Sequence, residues 1–252
     1  MENSVLDILK ILFCAPFLIY ACYSDIKKRS VNNNVWLIML VGSIFFISFD
    51  YSLYKILILR PLFISAGFIF ILAYILFTIG AFGGADAKAL IVLSLTIPAY
   101  PGFQVLGYAF PLDKPLYDIF TLSIFGNAAL LAIVVPIGLA AYNITKMGLH
   151  IDNPAYIFMG YKKRISELPG KHIRLIQGFE MVNGTVRSRF KWGGMEINGD
   201  TVRELKHLSG KGLIEDEVWV TPCLPFMIPI TLGFFTAVLY GDMMFELIKF
   251  LL

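Results

Sequence analysis

Residues 61–88 read PLFISAGFIFILAYILFTIGAFGGADAK, and this stretch decides the fold of the chain. Residues 61–85 include no charged side chain. This uncharged run is longer than the roughly 20 apolar residues that a membrane-spanning helix requires. The uncharged run ends at Asp86, and Lys88 follows two positions later. Because an ionisable side chain is costly at the edge of an apolar segment, Asp86 indicates a functional site.

The composition predicts a membrane protein with several spans. Of the 252 residues, 58% are hydrophobic and 15% are charged, a balance that no soluble globule of this length could bury. Residues 119–145 and 220–241 are two more uncharged runs of sufficient length. Shorter apolar runs at 5–24, 35–49 and 89–100 bring the prediction to an all-α protein with six transmembrane helices.

The basic residues predict the orientation, because Lys and Arg collect in cytoplasmic connections. Residues 27–29 are all basic, Lys88 opens the fourth span, and eleven Lys or Arg lie between residues 150 and 220. The second and fourth connections carry only Lys55, Arg60 and Lys114. The first, third and fifth connections are therefore predicted to be cytoplasmic, with both termini outside. Asp25, after the first span, then lies at the same depth as Asp86.

The polarity of the chain predicts three regions. Residues 1–146 hold helices one to five with the two aspartates, 147–220 form a cytoplasmic domain, and 221–252 hold helix six. The middle region is predicted to be β-rich, inserted between helices five and six. Its predicted strands are 173–176, 182–190 and 194–202, its turns are Asn183-Gly184, Gly193-Gly194 and Asn198-Gly199, and 201–208 is a helical turn.

Asp25 and Asp86 could act together as a pair of carboxyls. Two carboxyls a few ångströms apart do not both ionise readily, so one is expected to hold a proton. The ionised member then takes a proton from water while the protonated member polarises a carbonyl group. Amide hydrolysis is the expected reaction, and it needs no cofactor or metal.

Each of these residues also has a structural alternative. Asp25 could be an interfacial carboxylate that the basic residues 27–29 neutralise, and Asp86 could be the N-cap of the fourth helix. Gly80, Gly83 and Gly84 could let a peptide approach Asp86 or could form a packing surface between helices. The sequence alone leaves these alternatives open.

The remaining composition predicts no other kind of site. Cys14, Cys22 and Cys223 form no CxxC pair and no cluster with histidine at metal-ligand spacing. We therefore predict no cofactor, no metal and no nucleic-acid partner. The basic residues of the 147–220 region are expected to meet anionic membrane lipids.

This pattern resembles the GxGD-type membrane aspartyl peptidases, and specifically the archaeal preflagellin peptidases, which are related to bacterial type IV prepilin peptidases. The resemblance rests on an aspartate followed by basic residues after the first span, and on the glycine-rich aspartate motif that opens the fourth. It implies that Asp25 and Asp86 are the catalytic pair. Gly83, Gly84 and Ala85 stand in the motif, where Ala85 replaces the second glycine, and Lys88 agrees with the DxK continuation.

The resemblance implies an aspartic endopeptidase that removes basic leader peptides from preflagellins and similar substrates of the archaeal flagellum. The bacterial relatives commonly carry paired CxxC motifs with methyltransferase activity, which this chain lacks. The alternative is a proton-coupled transporter or channel that uses its carboxylates as a relay. A relay needs groups distributed across the bilayer, whereas both aspartates are predicted near one face. Oligomeric state stays open.

Overall fold

The computed structural model describes residues 4–113, 117–148, 153–182, 185–223 and 225–251. It divides into two compact units, Met1–Ala132 with Pro225–Leu252, and Ile133–Leu224. The helices are α1 (Ser4–Lys28), α2 (Asn33–Tyr54), α3 (Leu59–Thr78), α4 (Gly84–Thr96), α5 (Phe120–Ala132), α6 (Val134–Met147), α7 (Pro154–Met159), α8 (Gly199–Gly210), α9 (Met227–Leu239) and α10 (Met243–Leu251). The strands are β1 (Phe103–Val105), β2 (Tyr108–Phe110), β3 (Tyr161–Arg164), β4 (Ile173–Val182), β5 (Thr185–Glu196) and β6 (Glu217–Pro222).

Within the described ranges, three helical stretches are long and apolar enough to cross a membrane: Ser4–Lys28, Asn33–Thr78 and Phe120–Met147. The pair α9 and α10 passes the same test jointly but is bent by 76°. The stretch Asn33–Thr78 has 46 residues, more than twice the length that one span needs. The chain is therefore mostly helical with several apolar helices, while the count of six spans stays a prediction.

Helix α4 packs between α2 and α3 in the first unit. Lys88 donates a hydrogen bond to Asn33 at 2.7 Å near the start of both α4 and α2. The hydroxyls of Ser43 and Thr96 lie 2.6 Å apart near the other end of α4. Helices α2 and α4 thus run in the same direction, which brings the beginning of α2 to the beginning of α4.

The predicted helix boundaries were wrong at two long apolar runs. Helix α3 ends at Thr78, and the chain turns at Gly80 with φ of +74° before α4 begins. Left-handed backbone of this kind favours glycine, which explains the end of the helix inside an apolar run. Helix α9 begins at Met227, because Val220, the predicted start, lies in strand β6.

The run at 119–145 also contains a break, at Ile133 between α5 and α6. Pro136 has no backbone N–H, so the carbonyl of Ala132 loses its helical partner at this point.

Helix α5 packs closely on α9 at Gly233, where an added Cβ would lie 2.6 Å from the Ile124 carbonyl oxygen. This glycine allows the two backbones to approach, as small residues do in membrane helices.

The second unit contains a four-stranded antiparallel sheet in the order β3-β6-β4-β5. Helix α8 packs Val202 and Leu205 against an apolar cluster that includes Leu175 and Val218. A separate cluster forms where the Tyr156 ring of α7 stacks on Trp219 at a centroid distance of 4.9 Å. The predicted β-rich region is confirmed as a small sheet, whereas the division at residues 146 and 220 stays a prediction.

The predicted turn at Gly193-Gly194 was wrong, because both glycines lie inside β5. Their φ angles are +72° and +66°, and the β4–β5 register is shifted beside them. This geometry is a β-bulge, which glycines favour for the same reason that they favour turns. The predicted turn at 183–184 lies outside the described residues.

The predicted strand 194–202 was wrong beyond Glu196, where β5 ends. Asn198 is instead the N-cap of α8, and its Oδ1 accepts a hydrogen bond from the Thr201 backbone N–H at 2.8 Å. Asparagine favours both turns and N-caps, so its presence alone did not distinguish them. The β1–β2 hairpin was not predicted at all, although its turn contains Gly107.

Two buried carboxylates of the first unit have close polar partners. Asp50 accepts from the Lys10 ammonium at 2.7 Å, and both side chains are almost fully buried. Asp242 accepts from the hydroxyls of Tyr117 and Ser123 and from the Phe245 backbone N–H. The Lys10–Asp50 pair joins α1 to α2.

We predict that removing one member of the Lys10–Asp50 pair destabilises the protein by roughly 3 kcal/mol, because the other charge stays buried without a partner. The single variants are Lys10→Met and Asp50→Leu, and the double variant carries both changes. The double variant should recover at least half of the loss in thermal unfolding in detergent. Equal stability of wild type and both single variants would contradict this role.

Candidate active site

Asp25 lies in the last turn of α1 and is half-buried. Its carboxyl is close to the backbone N–H of Met227, the first residue of α9. The helix ends one turn later, where the Arg29 backbone N–H donates to the Asp25 carbonyl at 3.0 Å. The aspartate therefore sits where the end of α1 meets the start of α9.

Asp86 is buried in the first turn of α4, with 7% of its surface exposed. The N-cap of this helix is Gly83, so Asp86 is not the N-cap itself, but its side chain caps the helix from the third position of the first turn. Asp86 accepts a hydrogen bond at Oδ2 from the Gly83 backbone N–H at 2.9 Å. Its Oδ1 is buried and has no hydrogen-bond partner among the residues that the structure describes. Asp242 differs, because both of its oxygens accept hydrogen bonds.

One cavity of about 280 Å³ brings the two aspartates together. The carboxyls are close enough for their charges to interact. All residues that the sequence placed at the site line this cavity: Asp25, Gly83, Gly84, Ala85, Asp86 and Lys88. The fold therefore brings together two residues that are about 60 positions apart in the sequence. The sequence pattern predicted only that they lie at the same depth in the membrane.

The space available for a side chain differs between the positions of the glycine-rich motif. An added Cβ at Gly83 would lie 3.1 Å from Asp86 Oδ2, tighter than ordinary contact. At Gly84 the nearest atom would be 3.9 Å away, on the Phe77 ring. Ala85 packs against the apolar core as well as lining the cavity. The methyl group of Ala85 therefore leaves the cavity open.

Lys88 forms a hydrogen bond between two helices. Its ammonium donates to Asn33 Oδ1 at 2.7 Å, which ties α4 to the start of α2. The adjacent Asn32 is the N-cap of α2 and accepts from the Asn34 backbone N–H. The run of three asparagines at 32–34 therefore contains the cap of the second helix.

Five further residues of the cavity lining were not assigned to the site from the sequence: Arg29, Ser30, Val31, Asn33 and Trp36. Arg29 was considered only as a topological charge and a neutralising partner. Its position four residues after Asp25 was a usable signal, because residues at this spacing share a helix face. Trp36 offered no signal of this kind, since an aromatic residue early in an apolar helix is ordinary.

Within the described residues, no group of three or more His, Cys, Asp or Glu could hold a metal ion. The polar side chains that line the cavity are two carboxyls, one guanidinium, one ammonium, one amide, one hydroxyl and one indole N–H. The predicted absence of a metal or cofactor stays a prediction.

Comparison with known families gives two matches that together cover most of the chain. Residues 12–137 match the model of the type IV leader peptidase family, and residues 152–243 match the archaeal peptidase A24 C-terminus, type II. The first match covers half of the chain and includes both aspartates. The chain belongs to the type IV leader peptidase family.

Curated relatives agree with this assignment along nearly the whole length. The chain is 29% identical over 247 residues to the preflagellin peptidase of Methanococcus voltae, covering 92% of this chain and 94% of the relative. It is 28% identical to the preflagellin peptidase of Methanococcus maripaludis, covering 89% of this chain and 92% of the relative. It is also 28% identical to the preflagellin peptidase of Methanocaldococcus jannaschii, covering 89% of this chain and 91% of the relative. This family member is a multi-pass membrane protease, so the resemblance is confirmed and a transporter is not supported.

We predict that Gly83→Ala lowers peptidase activity about tenfold, because the added methyl group displaces Asp86 Oδ2. Gly84→Ala is the matched control, since its methyl group meets only ordinary contacts. Steady-state cleavage by the two purified variants checks this. Equal activity of Gly83→Ala and Gly84→Ala would contradict the crowding of Asp86.

Proposed function

We propose that this family member is an aspartic endopeptidase that removes leader peptides from preflagellin-type substrates at the cytoplasmic membrane face. Asp25 and Asp86 act together as its catalytic pair. The substrate has a short basic leader, an apolar helix after it, and a scissile bond between the two. The printed names of the relatives support this class of substrate.

One observation carries the proposal: Asp25 and Asp86 line the same cavity, where Asp86 Oδ1 is buried with no hydrogen-bond partner from the described residues. A buried carboxyl oxygen without a hydrogen bond is unfavourable unless another group satisfies it. A water molecule or a peptide carbonyl group would do so. The purely structural alternative for Asp86, helix capping, uses only Oδ2.

The reaction follows from the chemistry of a carboxyl pair. The ionised carboxylate takes a proton from water as the water oxygen attacks the scissile carbonyl carbon. The protonated carboxyl gives its proton to the carbonyl oxygen, which yields a neutral tetrahedral intermediate. On collapse the C–N bond breaks, the carboxyl that took the water proton gives it to the leaving nitrogen, and the other carboxylate takes a proton from one hydroxyl of the intermediate as the C=O bond forms. The pair begins and ends with one shared proton.

The cytoplasmic location rests on the distribution of basic residues. With both termini outside, the ends of α1 and α4 that carry Asp25 and Asp86 face the cytoplasm. A leader peptide would approach from this side while its apolar helix stays in the bilayer. The basic residues of the 147–220 region would meet anionic lipid headgroups on the same side.

We predict that Asp25→Asn and Asp86→Asn each lower the turnover of a preflagellin-type peptide at least about 1000-fold, because neither amide can accept or donate the required proton. Cleavage by purified protein in detergent is the measurement. Asp242→Asn is the control, because Asp242 is a buried aspartate outside the cavity lining. Full activity of either cavity variant would contradict the proposal.

The orientation can be tested by labelling single cysteines in intact cells after Cys14, Cys22 and Cys223 are replaced by serine. Lys206→Cys, on α8, should react with a membrane-impermeant maleimide only after lysis. Tyr108→Cys, in the β1–β2 hairpin, should react without lysis, and both positions are exposed. The reverse pattern would place the site on the outer face.

A further inference from the structure

The cavity holds unsatisfied donors in addition to its carboxyls. Arg29 lines the cavity, and its buried Nε and Nη1 atoms have no acceptor within the described part of the chain. The same holds for the buried indole Nε1 of Trp36, another lining residue. Trp36 is only 4% exposed. Buried N–H groups of this kind are rare in folded proteins, and each lowers stability until it is paired.

The backbone at Arg29 points to the same conclusion independently. Its φ is +54°, in the left-handed region that non-glycine residues rarely adopt. Residues that end a helix in this conformation are usually glycine. The turn is nevertheless well defined, since the Ser24 hydroxyl donates to the Ser30 carbonyl at 2.8 Å. An arginine in a strained position at a cavity indicates that its side chain has a use there.

The chemistry of these donors defines what they can bind. Guanidinium and indole N–H groups are donors only, so their partner must be an acceptor. An extended peptide presents backbone carbonyl oxygens along its length, and Asp86 Oδ1 in the same cavity can contact the peptide or the attacking water. A free anion is a poorer partner, because Asp25 and Asp86 line the cavity as well.

We propose that Arg29 and Trp36 hydrogen-bond backbone carbonyl oxygens of the substrate peptide next to the scissile bond. This rests on the proposed endopeptidase function and assigns the α1–α2 turn and the start of α2 as the peptide-binding wall of the site. The carbonyls replace the acceptors that both side chains lack in the free protein. Because the peptide-binding wall contacts backbone atoms of the substrate, it can orient substrates whose leader sequences differ.

Arg29→Lys separates hydrogen bonding from charge. Lysine keeps a positive charge beside Asp25 and has the same difficulty with positive φ, but it lacks the planar N–H groups of the guanidinium. We expect kcat/KM for a preflagellin-type peptide to fall about tenfold to 100-fold. The pH profile should keep its shape, because the charge near the carboxyls is retained. Lys28→Gln, at an exposed neighbouring position, is the control.

Trp36→Phe is the second variant, because it keeps an aromatic ring and removes only the indole N–H. We expect a smaller loss in kcat/KM, about threefold to tenfold, as for a neutral donor. Binding of the same peptide to Asp25→Asn, with and without each second change, gives a readout independent of turnover. Fluorescence anisotropy should show weaker binding in both double variants.

The outcomes separate this proposal from the function on which it rests. If wild type does not cleave the leader peptide, the proposed function fails. If wild type cleaves it and Arg29→Lys matches wild type in cleavage and binding, the peptide-binding wall is wrong. An altered pH profile with unchanged peptide binding would assign Arg29 to charge balance and would also overturn the proposal.

Discussion

A carboxylate away from water must find a partner, and this constraint shapes the helical unit of the protein. Asp50 meets it through the Lys10 ammonium, and Asp242 through two hydroxyls and a backbone N–H. Asp86 meets it only in part, since one oxygen accepts from Gly83 and the other has no partner among the described residues. That oxygen belongs to a carboxyl that lines the same cavity as Asp25, which Asp50 and Asp242 do not line.

The candidate site is built from helix ends. Asp25 comes from the end of α1, Asp86 from the start of α4, and the start of α2 supplies Asn33 and Trp36. Helix ends have free backbone N–H or C=O groups and permit abrupt turns, so they can gather polar side chains at a membrane edge. The packing of α4 along α2, fixed by polar contacts near both ends, holds these groups together.

Much of the site could be predicted, because its residues break a strong pattern. Asp25 and Asp86 interrupt apolar runs, and the basic residues after each run indicate a common depth. Arg29 and Trp36 were missed because their significance depends on which atoms lack partners in the folded chain. The local sequence does not show which side-chain atoms lack hydrogen-bond partners after folding. The motif indicated two aspartates that line one cavity, although Ala85 replaces its second glycine and packs partly on the core.

The fold was less predictable where one residue type serves several structures. Gly193 and Gly194 suggested a turn but form a bulge, and Asn198 suggested a turn but caps a helix. Val220 extended an apolar run but pairs in the sheet with Leu175 and Tyr161. Long-range pairing decided each case, whereas composition and periodicity report only local preference.

The central claim is that Asp25 and Asp86 act as one catalytic unit. The most direct test is a double-mutant cycle on turnover, with Asp25→Asn, Asp86→Asn and the combined variant measured on one leader peptide. Groups that act as a unit are strongly non-additive. The account predicts that the combined variant is no slower than the slower single variant. Losses that multiply in the combined variant would show independent roles and contradict the shared site.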